Sequence, residues 1–334
     1  MNTRQLHFNA FLYGCGHHQA AWRLPGSSVE QLGEITYYER LAQTAEAGLF
    51  DAIFFADGQS VSNPAVGPQW SLEPLTALAA IAGNTSRIGL ICTVSTTFHT
   101  PFHAARMLAS LDHISQGRIG WNVVTSMFDA EARNHSMEQM PASAQRYVRA
   151  AEFIDVALAL WDSWDDDAVV AQRNGDFADA AKIHPVDHAG KHFQVAGPLN
   201  IPRGPQGRPV LFQAGASESG RDLAARYAEG IYAVAYDLAS GQQYYADVKQ
   251  RIASYGRDPA GVPIMPGLVT FLGSTEAEAR AKQAEVDALL PVKHSLAQLG
   301  TFIGQDCSDW ELDAPVPDLP PATEFSGPQG RYAT

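Results

Sequence analysis

Residues 117–126 read GRIGWNVVTS. Gly117 and Arg118 lead into an apolar run from Ile119 to Val124, interrupted by the amide of Asn122 and closed by the hydroxyls of Thr125 and Ser126. A strand that serves only as buried scaffolding carries neither, since each buried polar group needs a partner. In a parallel α/β protein, ligands sit at the C-terminal ends of the strands. The stretch therefore predicts a strand whose far end borders a binding site.

Outward from this stretch, apolar runs and helical periodicities alternate. Runs suited to strands fall at 6–13, 51–56, 88–97, 119–124, 209–214, 231–235 and 264–272. Amphipathic spacing predicts helices over 35–49, 73–82, 102–114, 147–164, 221–229, 242–255 and 276–290. Seven strand–helix units in strict alternation demand a parallel sheet with right-handed crossovers. A doubly wound sheet and a (β/α)8 TIM barrel both satisfy that demand. The lack of any break in composition favours the barrel, as one domain over 1–334. Residues 165–208, polar and punctuated by Gly and Pro, read as an insertion. Residues 291–334, which include PVPDLPPATEFSGPQG, read as an irregular tail with neither an eighth strand nor a closing helix. A barrel without its last unit has unpaired edges. A truncated chain is thus expected, ahead of a gap closed by an oligomeric partner or a degenerate gene.

A formal net charge of −13 argues against nucleic acid as the main partner, because phosphate binding needs a basic face. No apolar run approaches the roughly 20 residues of a membrane span, and MNTRQLHFNAFLYG has no signal-peptide core. Cys15, Cys92 and Cys307 are odd in number and far apart, which fits a reducing cytoplasm rather than a disulfide framework or a metal site.

Gly14-Cys15-Gly16 lacks the third glycine of a dinucleotide fingerprint, since position 19 is Gln19. His17 and His18 are adjacent and point to opposite faces of an extended chain, so no metal is expected there, although one imidazole can face a pocket. His99 and His103 are expected to meet solvent or backbone. No G-x-S-x-G elbow is present. Five polar residues do converge at or just beyond the ends of predicted strands: Asp57, Thr93, Asn122, Ser126 and Ser217. Singly each is a helix-cap candidate; together they predict a ligand that is polar at several points. GASESGR, residues 215–221, places small residues between a strand and a helix N-terminus, an arrangement that cradles phosphate. Without a Walker lysine, a flavin mononucleotide or a sugar phosphate fits better than a triphosphate.

GRIGWNVVTS, with FDAIFFAD (50–57), STTFHTPFHAARMLASLDHIS (95–115) and VLFQAGASESGRDLAA (210–225), closely resembles the bacterial-luciferase-like flavin monooxygenases. Within them it resembles the branch of nitrilotriacetate monooxygenase, dibenzothiophene-sulfone monooxygenase, pristinamycin synthase and long-chain alkane monooxygenase. The resemblance implies a TIM barrel of the bacterial luciferase type and a two-component monooxygenase. In such a system a separate NAD(P)H-dependent flavin reductase delivers FMNH2, and O2 gives a flavin C4a-(hydro)peroxide that oxygenates a small organic substrate. It also implies a homodimer or homotetramer. Motif by motif, Asp57, Thr93 and Asn122 should flank the isoalloxazine, with Ser126 following. Tyr147 should reach the ribityl-phosphate, and Ala216 and Ser217 should hold the phosphate. Cys15, His17, His18, Trp22 and Met127 are the substrate-side candidates. No catalytic acid or base is singled out, because oxygen activation belongs to the cofactor. The alkane-oxidising relative has a histidine where Met127 stands, which makes an alkane a poorer candidate than aminopolycarboxylates, aromatic sulfones or other small molecules. Three competing readings are a deazaflavin-dependent oxidoreductase, a catalytically impaired flavin-binding protein and a sugar-phosphate lyase or isomerase.

Overall fold

Strands form where the sequence is apolar, but each extends only as far as a neighbouring strand can pair with it. The computed structural model describes residues 5–61, 63–69 and 71–319. In chain order the elements are β1 (Asn9–Phe11), α1 (Ile35–Ala47), β2 (Ala52–Phe55), α2 (Pro74–Ala82), β3 (Gly89–Ser95), α3 (Pro101–Ser115), β4 (Ile119–Val124), α4 (Asp129–Asn134) and α5 (Ser143–Trp161). There follow β5 (His188–Ala189), β6 (Gln194–Val195), β7 (Val210–Gln213), α6 (Glu218–Tyr227), β8 (Gly230–Ala233), α7 (Leu238–Ser254), β9 (Ile264–Pro266), α8 (Glu276–Ala288) and α9 (Val292–Ile303). Among the described residues the main sheet has seven strands, all parallel, in the order β1-β2-β3-β4-β7-β8-β9. It is curled. Asn9 on β1 donates across its concave face to the hydroxyl of Tyr232 on β8 (3.0 Å) and to Sδ of Met265 on β9 (3.4 Å).

Alternation along the strands sends residues to two different cores. On the concave side, Phe54, Ile91, Phe212 and Tyr232 fill the space, with Phe54 and Phe212 stacked on Tyr232 at 4.7 and 5.4 Å. Gly120 makes room for them: a Cβ there would lie 2.9 Å from both Ile91 and Phe212. On the convex side, Ile53, Leu90, Ile119, Trp121, Val123 and Leu211 pack under the helices. Trp121 meets Phe153 and Trp161 of α5 at ring distances of 5.8 and 6.1 Å.

Arg118 locks the N-terminal end of β4. Its guanidinium donates to the carbonyls of Ala82, Thr85, Ile88 and Ser115 and to the Thr85 hydroxyl, joining the ends of α2 and α3 to the start of β3. Arg118→Ala should therefore cost about 3 kcal/mol in denaturant unfolding, since it strands several carbonyls at once, with Arg118→Lys in between. A cost within 0.5 kcal/mol, the scale of ordinary surface changes, would contradict this role.

Several elements depart from expectation. β9 covers three residues instead of nine, because its partner β8 ends at Ala233, the residue that pairs with Pro266. β1 is short because its only partner among the described residues is the four-residue β2. α5 begins at Ser143 and α6 at Glu218, each earlier than periodicity predicts, α6 because Ser217 caps it. The tail expected to be irregular opens instead with a helix, α9, whose Leu296 and Ile303 pack with Cys307, Trp310 and Leu319. The Pro-rich composition further along obscures its pattern in the sequence. The part of that tail from residue 320 onward lies outside the described residues. The 165–208 insertion carries a small β5–β6 hairpin, pinned to α5 by Glu152, which accepts from His188 and the amides of His192 and Phe193.

Candidate active site

At the C-terminal ends of β3 and β4, Thr93 and Asn122 are register partners, both buried. They lie two residues beyond Ile91 and Gly120, on the same concave side. Asn122 Nδ2 donates to Thr93 Oγ1 at 2.9 Å, and its Oδ1 is buried with no hydrogen-bond partner. An unpaired buried acceptor costs about 1–3 kcal/mol, so such an atom calls for a donor from outside the chain. Ser126 sits in the left-handed region at φ 56° and donates to Ser95 Oγ at 2.8 Å. Backbone strain of this sort in a non-glycine residue gathers at ligand sites.

Asp57 follows β2 and is half-buried. Burial raises its carboxyl above the ordinary range; Glu73 and Glu131 add to the rise, while Gln59 and His99 oppose it. Gln59 Nε2 donates to Asp57 Oδ2 at 2.6 Å, and His135 donates to Gln59 Oε1 at 2.5 Å. His99 donates to the Ser95 carbonyl, and burial holds its imidazole below the usual value. For a histidine depressed in this way, the unfolded chain takes up its proton first as pH falls. Stability from this group is full above about pH 6.5 and is lost below it. The loss in Tm on acidification should thus be smaller in His99→Gln than in the parent; parallel curves would contradict this.

The second part of the site lies between β7 and α6. Gly215 and Gly220 touch: a Cβ on Gly215 would lie 2.6 Å from the Gly220 Cα, and one on Gly220 would lie 2.9 Å from the Tyr147 hydroxyl. Ser217 is the N-cap of α6 and accepts from the Gly220 amide at 3.2 Å. Ala216 and Ser217 are exposed beside it. The Tyr244 hydroxyl donates to the Gly215 carbonyl at 3.4 Å, and burial pushes that phenol up to about 12. A flat glycine turn, a capped helix N-terminus and a tyrosine hydroxyl form a cradle that fits a phosphate.

The loop after β1 divides the remaining candidates. His17 lies over Phe11 and Tyr13 at the open end of the concave face, with ring distances of 5.5 and 5.7 Å. His18 instead accepts from the Ala20 amide through Nδ1 and donates to Asp287 on α8 at 3.0 Å, which ties the loop to that helix. Cys15 packs against the convex-side core, and burial raises its thiol. Trp22 donates to the Val66 carbonyl and walls an apolar cleft of about 510 Å³ with Val29, Leu32, Val61, Pro64 and Pro68. Met127 is half-buried directly after Ser126. The residue types alone did not single out Gln59, Glu131 and His135. The only signal was their spacing, 131 and 135 being one helical turn apart in DAEARNH (129–135).

The luciferase-like monooxygenase family model matches residues 10–311. The chain belongs to this family. The monooxygenase is 43% identical to N-acetyl-S-(2-succino)cysteine monooxygenase of Bacillus subtilis (strain 168), over 95% of this chain and 72% of that protein. It is 41% identical to nitrilotriacetate monooxygenase component A of Aminobacter aminovorans, over 98% and 76% respectively. A solved riboflavin lyase, in complex with a modified FMN and riboflavin, superposes with a TM-score of 0.89 at 31% identity, covering 98% of this chain and 76% of that one. The monooxygenase thus falls in the branch that its strand-end motifs resemble. Its curled parallel sheet is that of the luciferase-like TIM barrel. No helix among the described residues is long and apolar enough to cross a membrane.

Proposed function

We propose that this monooxygenase binds reduced FMN with its ring at the C-terminal ends of β2 to β4 and its phosphate at the β7–α6 turn, and oxygenates a small organic substrate with O2. The observation that carries the reading is the orphaned Oδ1 of Asn122, a buried acceptor suited to a ring N–H. Thr93 holds the Asn122 amide so that this oxygen, and not the nitrogen, is the free end. Asp57 and Ser126 stand at neighbouring strand ends. Tyr147, Ala216 and Ser217 with the Gly215–Gly220 turn would hold the phosphate. When bound, reduced flavin supplies the oxygen activation. The chain contributes orientation, and the aromatic filling of Phe54, Phe212 and Tyr232 closes the floor of the site against water.

A separate flavin reductase would supply the reduced cofactor, and the chain would act as a single barrel domain in a homodimer or homotetramer. The two relatives described above are named for a thioether and an amine that bear several carboxylates. Carboxylate-bearing amines and thioethers are therefore the substrates to try first. An anaerobic titration tests the cofactor assignment: reduced FMN should bind and a reduced deazaflavin should fail to compete. Tighter binding of the deazaflavin would favour hydride transfer and overturn the reading.

A further inference from the structure

Beside the proposed flavin site, α4 and its C-cap residue present Glu131, Asn134 and His135 to one residue, Gln59. Glu131, 5% exposed, accepts from the Gln59 amide (3.1 Å) and the Phe128 amide (3.3 Å); Asn134 donates to the Gln59 carbonyl (2.7 Å). The Gln59 backbone is therefore held from both sides. Its side chain bridges His135 and Asp57 at 2.5 and 2.6 Å. The His135 ring is fixed in turn by stacking on Phe98, with centroids 4.2 Å apart and planes within 10°.

We infer that Gln59 and His135 are positioning residues for Asp57, a hydrogen-bond relay that makes Oδ2 the acceptor and confines any proton of Asp57 to Oδ1. The reasoning is one of donors and acceptors. A His135 that carries hydrogen on Nε2 must face the Gln59 carbonyl. The Gln59 amide nitrogen then points at Asp57, which accepts on Oδ2. The reverse orientation needs two changes together: a proton on Asp57 Oδ2 and a bare His135 Nε2. A protonated His135 forbids it. The proton position on Asp57 is thus linked to the state of an imidazole two hydrogen bonds away.

The charged and titratable groups around Asp57 set the balance. Glu73 at the start of α2 and Glu131 on α4 favour the neutral acid, as does burial; His99 after β3 and the Gln59 donor favour the carboxylate. Removing the donor tips this balance toward the neutral acid. The relay rests on the proposed flavin site only for its purpose, which is to present a fixed Oδ1 to the cofactor ring.

The experiment is 13C NMR of carboxyl-labelled aspartate in the flavin-free chain, with Asp57→Asn as the assignment control. Asp57 is titrated in the parent, Gln59→Leu, His135→Phe and His135→Gln. His135→Phe keeps the stacking on Phe98 and removes only the donor. The Asp57 midpoint should rise by about one pH unit in Gln59→Leu and His135→Phe, and return toward the parent value in His135→Gln, whose amide can donate again. An unmoved midpoint in both donor-deleted proteins, with parental Tm, overturns the relay. The pH profile of FMN affinity, measured in parallel by flavin fluorescence, should shift with the Asp57 midpoint. If the carboxyl titration moves and that profile does not, the relay stands and the placement of Asp57 at the flavin falls.

Discussion

The double variant T93V/N122L is expected to bind FMN about a hundredfold more weakly while unfolding at the parental temperature or above it. The two effects have one cause. The Asn122 amide satisfies Thr93 and leaves its own oxygen buried and unpaired. Replacing both partners by apolar groups of similar shape removes the pair and the orphan together, which is nearly neutral or stabilising. Loss of the hydrogen bonds that the proposed placement gives this pair with the ring would cost about 2.7 kcal/mol, or a hundredfold in affinity. A purely structural pair predicts the reverse pattern: a lower Tm and unchanged flavin affinity. Thermal unfolding and a fluorescence titration on the same samples separate the two. N122L alone is a poorer probe, because it leaves the Thr93 hydroxyl without its donor.

Gly220→Ala should weaken FMN binding tenfold or more and destabilise the chain by about 1–3 kcal/mol, the usual range for overpacking. The added methyl would lie 2.8 Å from the Gly215 Cα and 2.9 Å from the Tyr147 hydroxyl, so the turn must lift off the helix. Ser217 offers an internal comparison. As N-cap of α6 its removal to alanine costs about 1 kcal/mol of stability, whereas glycine costs only a few tenths. If Ser217 also touches phosphate, Ser217→Gly should lose affinity out of proportion to its small loss in Tm. Equal flavin affinity in Gly220→Ala and the parent would remove the cradle from the account.

The features legible in the sequence were those that one strand or one turn determines by itself. Alternation along GRIGWNVVTS separated Asn122 from Trp121 and Val123, and those three residues lie on opposite sides of β4 as that pattern requires. Ser217 was readable as a cap from its place before a helix, and it is one. The missed features depend on two segments meeting. Nothing local to ADGQS (56–60) reveals that Gln59 will lie under α4, and nothing in DAEARNH reveals that His135 will reach it. The loop after β1 shows the same limit. His17 and His18 were separable as facing opposite ways, but only the fold shows that Asp287, some 270 residues on, claims His18. α9 is obscured for a different reason: its own residues are helical, but they adjoin a Pro-rich stretch whose composition signals irregular chain.

The central claim is that the chain transfers an oxygen atom from O2 with reduced FMN. It is tested most directly by supplying the chain with FMN, NADH, a separate flavin reductase and 18O2, in the presence of a panel of carboxylate-bearing amines and thioethers. Mass spectrometry of the products should show one 18O atom in an oxygenated substrate, and no such product when the chain is omitted or replaced by T93V/N122L. A product reduced or oxidised by hydride transfer, free of 18O, would contradict the account.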